Sequence, residues 1–364
     1  MRSRFLCCIA VFLTLLVPAR AAEPMPPRYV PALERMFDTS RAPGMVAAVI
    51  DGERVHVKGF GRTSATNTAT PDANTLLRLN SLSKLMAGEV LARMVSTGGL
   101  SLDATLQQRA PAGRRVPMHR NARPIRIRDL LVHTSGIPRD LPVSLWSALT
   151  SLKNARWDWL GGTSLRNPPG RVAEYSNAGW IFLGDAMEQA AQKSYPSMLQ
   201  DHLARMIGPG GMTLAPTPAQ CARLLAAQMP SCDQGHATAP SWGLYASTAD
   251  VGLWMQRLMD ARPGTALQLS LQPVVQRSSL GAVRTLDFAG RAEALGWGWV
   301  FIRVGEHTVL QKTGGGVRTM NYIILSPEKR RALFVTVSRM DIEMLRRLTR
   351  DANRLMGQIL AEAE

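Results

Sequence analysis

The chain has 364 residues, 46% of them hydrophobic and 19% charged, with a formal net charge of +16. That length and apolar content suffice for two domains or one large one with a real core, and they exclude a disordered tail. The positive excess points to an anionic partner, yet no zinc finger or other nucleic-acid motif accompanies it.

Residues 1–22 read as a secretory signal peptide. Arg2 and Arg4 precede an apolar run of 13 residues, Phe5 to Val17, and Ala19-Arg20-Ala21 offers a cleavage site. Thirteen residues fall short of the roughly 20 that span a bilayer, so cleavage is expected over anchoring, and no later stretch is apolar enough to span. Cleavage removes Arg2, Arg4 and Arg20 and no acids, taking the charge from +16 to +13. A periplasmic location follows, without nucleic acid as partner. Contact with an anionic surface, lipid headgroup or wall polymer, is the expected use of the charge.

In chain order, Val30, Leu33, Met36 and Phe37 mark an amphipathic helix, and Gly44 to Phe60 reads as a hairpin turning at Asp51-Gly52. A strand-like run, Thr75 to Leu79, leads into a helix from Ser81 to Val95. An arginine cluster follows (Arg114, Arg115, Arg120, Arg123, Arg126 and Arg128), read as a solvated face or a docking patch. Capping signals open helices at Thr217-Pro-Ala-Gln220 and Ser247-Thr-Ala-Asp250. Strands are expected at Gly296–Val304, Thr308–Gly314, Met320–Leu325 and Leu333–Ser338. A final helix carries Ile342, Leu345, Leu348, Leu355, Ile359 and Leu360 at helical spacing, to pack on the sheet or, with its arginines, on a membrane. The fold class is therefore α+β. Residues 23–78 and 290–364 build an antiparallel sheet flanked by the terminal helices, and residues 79–289 form a mostly helical domain. The cleft between them is the default site.

Cys221 and Cys232 are the two cysteines of the mature chain, and in an oxidising compartment they can close a local loop worth about 2–3 kcal/mol. No metal-ligand spacing and no cofactor motif is present.

Three strings carry chemistry: Ser81-Leu-Ser-Lys84, Tyr175-Ser-Asn177 and Lys312-Thr-Gly314. A serine at a helix start has free backbone N–H groups beside it, and a lysine three residues on can reach its oxygen and, if neutral, take its proton. A tyrosine near an ammonium can ionise more easily and serve as base, while an asparagine amide orients substrate or lysine. Lys312 beside a glycine-rich edge suits a substrate carboxylate. Each string is common alone; Ser326-Pro-Glu-Lys329 repeats the first spacing in a strand turn. Their order in an exported chain is what makes them specific. No G-x-S-x-G elbow offers another serine design.

With these strings, and with Leu79 to Leu85, Asp129 to Gly136, Gly243 to Ser247 and Gln311 to Gly316, the chain resembles the serine β-lactamase and penicillin-binding superfamily of the class C type. Ala110 to Pro117, Pro218 to Arg223 with Cys232, and Ala294 to Val300 make it most similar to the AmpH-like D-alanyl-D-alanine carboxypeptidases and endopeptidases. The resemblance implies a β-lactamase/transpeptidase-like fold, peptidoglycan peptides and β-lactams as partners, and an acyl-enzyme on Ser81. It implies Lys84 as proton acceptor or relay and Tyr175 as partner base that also activates the deacylating water, with the working base being either of the two. Asn177, Lys312, Thr313 and Gly314 would bind substrate, and the N–H groups of Ser81 and Gly315 would form the oxyanion hole. Val317-Arg318 depart from the family pattern after the glycines, and Arg318 is expected to add a carboxylate contact. A β-lactamase, a carboxylesterase and a non-catalytic sensor of β-lactams or wall fragments are the competing functions.

Overall fold

The computed structural model describes residues 22–226, 232, 238–316 and 318–363, so residues 1–21 of the expected signal peptide and Val317 lie outside the described residues. The chain begins with β1 (Glu23–Pro24), α1 (Val30–Ser40), β2 (Gly44–Asp51), β3 (Arg54–Gly61) and β4 (Leu76–Arg78). It continues through α2 (Ser83–Ser96), α3 (Ile127–Leu131), α4 (Trp146–Ser151), α5 (Lys153–Gly161), β5 (Val172–Glu174), α6 (Asn177–Ala191), α7 (Tyr195–Ile207) and α8 (Pro218–Cys221). Next come β6 (Tyr245–Ser247), α9 (Thr248–Met259), α10 (Ala266–Ser270), β7 (Pro273–Gln276) and β8 (Ala282–Arg284). The chain ends with β9 (Ala294–Gly296), β10 (Val300–Val304), β11 (His307–Gly316), β12 (Thr319–Ser326), β13 (Arg331–Val337) and α11 (Ile342–Ala361).

Nine strands form one sheet in the order β1-β3-β2-β13-β12-β11-β10-β9-β7, so the two ends of the chain meet where β2 pairs with β13. The sheet is mixed rather than purely antiparallel, because β1 runs parallel to β3 at one edge. The β2–β3 turn is Gly52-Glu53, one residue later than Asp51-Gly52, since Asp51 still pairs with Arg54. The expected strand Gly296–Val304 is two strands: Gly298 takes φ 98°, and β9 folds back onto β10 while Trp297 and Trp299 turn into the core.

β12 is buried at every position, so both faces of the sheet are covered. α1 and α11 pack on each other, α11 against β10, β12 and β13, and α9 against β2 and β3. On α11 the expected stripe is buried except for Ile342, which is exposed at the first turn. Each fully buried Leu or Ile is worth roughly 1.5–3 kcal/mol, so the stripe accounts for docking to the sheet without its arginines. Four of the clustered arginines are spoken for: Arg123 pairs with Asp129, Arg126 and Arg128 share Asp103, and Arg114 reaches Asp158. Among the described residues, no helix is long and apolar enough to cross a membrane.

β4 leads directly to Ser81 and is held on both sides. It pairs with β6, and Leu76 exchanges backbone hydrogen bonds with Arg223 and Leu225 on its other flank. That flanking segment is tied down by a disulfide between Cys221 and Cys232.

Candidate active site

Ser81 sits in a 3-10 turn, Asn80–Leu82, that precedes α2, so it lies before the α-helix rather than capping it. Asn80 enters the turn with φ 51°, a left-handed conformation that asparagine tolerates better than most residues. Its amide Nδ2 donates to Thr319 Oγ1 at 3.0 Å, fixing the turn to β12.

The turn is also clamped from β11. A Cβ on Gly314 would lie 2.7 Å from the Leu79 carbonyl oxygen and 2.5 Å from Leu82 Cδ1, and one on Gly316 would lie 2.2 Å from Asn80 Oδ1. Only glycine lets the strand run this close to the nucleophile. Buried Asn321 fastens the two: its Nδ2 reaches the carbonyls of Arg78, Leu79 and Gly314 at 2.9, 3.1 and 3.2 Å, while its Oδ1 accepts from Thr336 Oγ1. The sequence signal for this residue is a lone amide in an otherwise apolar strand, which must find partners when buried.

The three strings converge. Tyr175 OH donates to Ser81 Oγ at 2.7 Å, and Lys84 Nζ lies 3.3 Å from the same oxygen. Lys84 is fully buried, with Asn177 Oδ1 at 2.9 Å, the Ser241 carbonyl oxygen at 2.7 Å and Ser241 Oγ at 2.9 Å around its amine. Lys312 Nζ stands 4.9 Å from the centre of the Tyr175 ring. β10 pairs with β11 only as far as Gln311, so Lys312–Gly316 has β12 on one side and an open edge on the other. Thr313 is half-buried and Gly315 exposed on this stretch. Arg318 is exposed at the hairpin tip with φ 64°.

Burial sets the protonation states. It pushes the Lys84 amine well below the usual lysine range, assisted by the Lys312 and Arg139 charges and opposed by Asp140. Lys312 is lowered to about 7 by desolvation. Tyr175 is raised to about 12, mainly by burial, against its Ser81 hydrogen bond and the Arg139 charge. Easier ionisation of Tyr175 was the expectation, and it is reversed here. The lysines meant to stabilise a phenolate are themselves buried and pushed toward neutrality, so desolvation prevails.

Four residues outside the strings complete the site. Asn177 Nδ2 donates to Asp140 Oδ1 at 2.6 Å, which turns its carbonyl oxygen toward Lys84. Arg139 lies over the Tyr175 ring, 5.3 Å from its centre, and its carbonyl accepts from the Asn177 N–H. His133 stacks on Tyr175 with centroids 4.4 Å apart, and its Nδ1 accepts from the Ser176 N–H at 3.0 Å. Ser241 is the fourth, and no spacing in the sequence links it to Lys84, 157 residues away.

A family model described as Beta-lactamase matches residues 32–358. The chain is 31% identical over 341 residues to the D-alanyl-D-alanine-carboxypeptidase/endopeptidase AmpH of Escherichia coli strain K12, covering 90% of this chain and 87% of that protein. Among solved structures it is similar to the beta-lactamase/D-alanine carboxypeptidase of Yersinia pestis in complex with citrate, with a TM-score of 0.81 and 33% identity over 90% of this chain and 95% of that one. A class C beta lactamase from Rhodobacter sphaeroides shares the fold, with a TM-score of 0.74 at 20% identity over 91% and 99% of the two chains.

Proposed function

The chain belongs to the beta-lactamase family, and on that premise we propose that it is an exported serine hydrolase. Its substrates are D-alanyl-D-alanine-type peptides of peptidoglycan, on which it acts as carboxypeptidase and endopeptidase, and penicillins acylate it. The observation that carries this reading is the meeting of the buried Lys84 amine and the Tyr175 hydroxyl on one serine oxygen beside an open strand edge.

The chemistry follows from the protonation states. Ser81 Oγ attacks the carbonyl of the penultimate alanine, and its proton passes to the Lys84 lone pair. The N–H groups of Ser81 and Gly315 face the developing oxyanion. Lys84 returns the proton to the departing nitrogen as the C–N bond breaks. Tyr175 keeps its proton and donates to Ser81 Oγ, aiming the oxygen's lone pair at the carbonyl. Water then attacks the ester by the reverse path. Lys312, with Thr313, holds the terminal carboxylate of the peptide. The relatives named AmpH and beta-lactamase/D-alanine carboxypeptidase support the substrate class.

Ser81→Ala should abolish covalent labelling by a fluorescent penicillin and all change in purified muropeptides, read by mass spectrometry. Retained labelling would sink the assignment. Rapid multiple turnover of penicillin with unchanged muropeptides would replace it by a β-lactamase.

A further inference from the structure

Lys84 has more oxygen neighbours than a neutral amine can use. A neutral amine has two N–H groups and one lone pair. Two neighbours, the Ser241 carbonyl at 2.7 Å and Asn177 Oδ1 at 2.9 Å, only accept, so they take both N–H groups and leave the lone pair for Ser81. Once the Ser81 proton arrives, the buried amine has three N–H groups, and Ser81 Oγ, 3.3 Å away in the free protein, becomes an ester oxygen and so a poor acceptor. Ser241 Oγ, at 2.9 Å, is the remaining acceptor, and its own proton has a destination in Asn177 Oδ1 at 3.2 Å.

We propose that the Ser241 hydroxyl is a positioning residue for the reaction, accepting from one N–H of the Lys84 ammonium while the amine carries the nucleophile's proton. The inference rests on the proposed serine-ester mechanism. The balance is complete: the Ser81 O–H bond breaks, O–C and N–H bonds form, and the ammonium gives its proton to the leaving nitrogen as C–N breaks.

Ser241 is well placed for this duty. It is fully buried, and its N–H and that of Trp242 both donate to the Thr238 carbonyl in a tight turn. Trp242 is stacked on Trp146 with ring centres 5.5 Å apart. Leu244 hydrogen-bonds through its carbonyl to the Leu79 N–H and through its N–H to Ser83 Oγ, so the segment is pinned on both sides of Ser81. The charged and titratable groups facing Lys84 from other elements are Lys312 on β11, Arg139 and Asp140 before α4, and Tyr175 and His133. A substitution at Ser241 leaves all of them in place.

The test compares wild type, Ser241→Ala and Ser241→Thr. Acylation rates are measured across pH with p-nitrophenyl acetate, which needs no peptide recognition, and with a fluorescent penicillin. A hydrogen bond to a charged group is worth enough that Ser241→Ala should slow acylation roughly 10- to 100-fold. Its acidic limb should also move to lower pH, because the ammonium has lost an acceptor, whereas Ser241→Thr, which keeps the hydroxyl, should hold the wild-type limb. An Ala variant that is slow with its limb unmoved has only a packing defect, and that result overturns the inference, as does an unchanged rate. Wild type that forms the acetyl ester but never the penicilloyl one contradicts the proposed function and leaves the Ser241 comparison readable. Wild type that forms neither ester overturns both.

Discussion

Raising the pH above about 7 should weaken binding of a peptide that ends in a carboxylate, because desolvation lowers Lys312 to about 7. At pH 8 about one free molecule in ten carries the charge on that lysine. A carboxylate about 4 Å away at an effective dielectric near 20 contributes about 4 kcal/mol. That is roughly a thousandfold preference for the charged form, enough to keep the bound lysine protonated at pH 8. Binding at pH 8 should therefore take up about 0.9 proton, and affinity should fall about tenfold per pH unit above 7. Among the neighbours, burial lowers Lys84 and His133 and raises Tyr175 to about 12, each away from the charged form. Calorimetry of a D-alanyl-D-alanine-terminated peptide with the Ser81→Ala protein, in buffers of different ionisation enthalpy, reads the uptake directly. Lys312→Arg should bind with no uptake, since a guanidinium is always charged. Absence of uptake at pH 8, or equal uptake in the arginine variant, would refute the reasoning. In the free protein the lowered value has a second consequence. Between about 7 and the ordinary 10.5 the unfolded chain binds more protons at this position, so its contribution to stability rises with pH over that window.

Gly314→Ala brings a Cβ 2.7 Å from the Leu79 carbonyl oxygen, about 0.7 Å inside ordinary contact. It should cost about 1–3 kcal/mol in a denaturant melt and slow acylation by up to roughly 100-fold through displacement of Ser81. Asn321→Leu leaves three carbonyls without their amide partner and should destabilise by about 3–5 kcal/mol, again by denaturant melt, with loss of penicillin labelling. Tyr175→Phe removes a donor rather than a base, so it should slow acylation while keeping the acidic limb of the pH profile; loss of that limb would make the tyrosine the base. Cys221→Ser opens the short loop closed by the disulfide and should lower stability by about 2–3 kcal/mol, an effect that reducing agent reproduces in the wild type and not in the variant.

Local patterns in the chain were sufficient for most elements. Alternation of β-branched residues placed β2, β3, β11, β12 and β13, and helical spacing placed α1 and α11, because apolar periodicity is a property of neighbouring residues. Residue chemistry likewise singled out Ser81, Lys84, Tyr175, Asn177 and Lys312, whose side chains meet within a few ångströms. Other features depend on what the rest of the fold does to a segment. The break at Gly298 depends on two indoles finding room in the core, and the brevity of α8, despite its capping box, depends on the pairing of the following residues with Leu76. Protonation states belong to the same class: an isolated tyrosine beside two lysines reads as a phenolate site, and only the removal of water from all three reverses it. Asn177 and Ser241 lie 93 and 157 residues from the Lys84 amine they surround, and the Asn321 amide lies 243 and 242 residues from the Arg78 and Leu79 carbonyls it holds. Spacing along a chain carries no record of such contacts, because hydrogen-bond geometry is decided only when the segments are packed together.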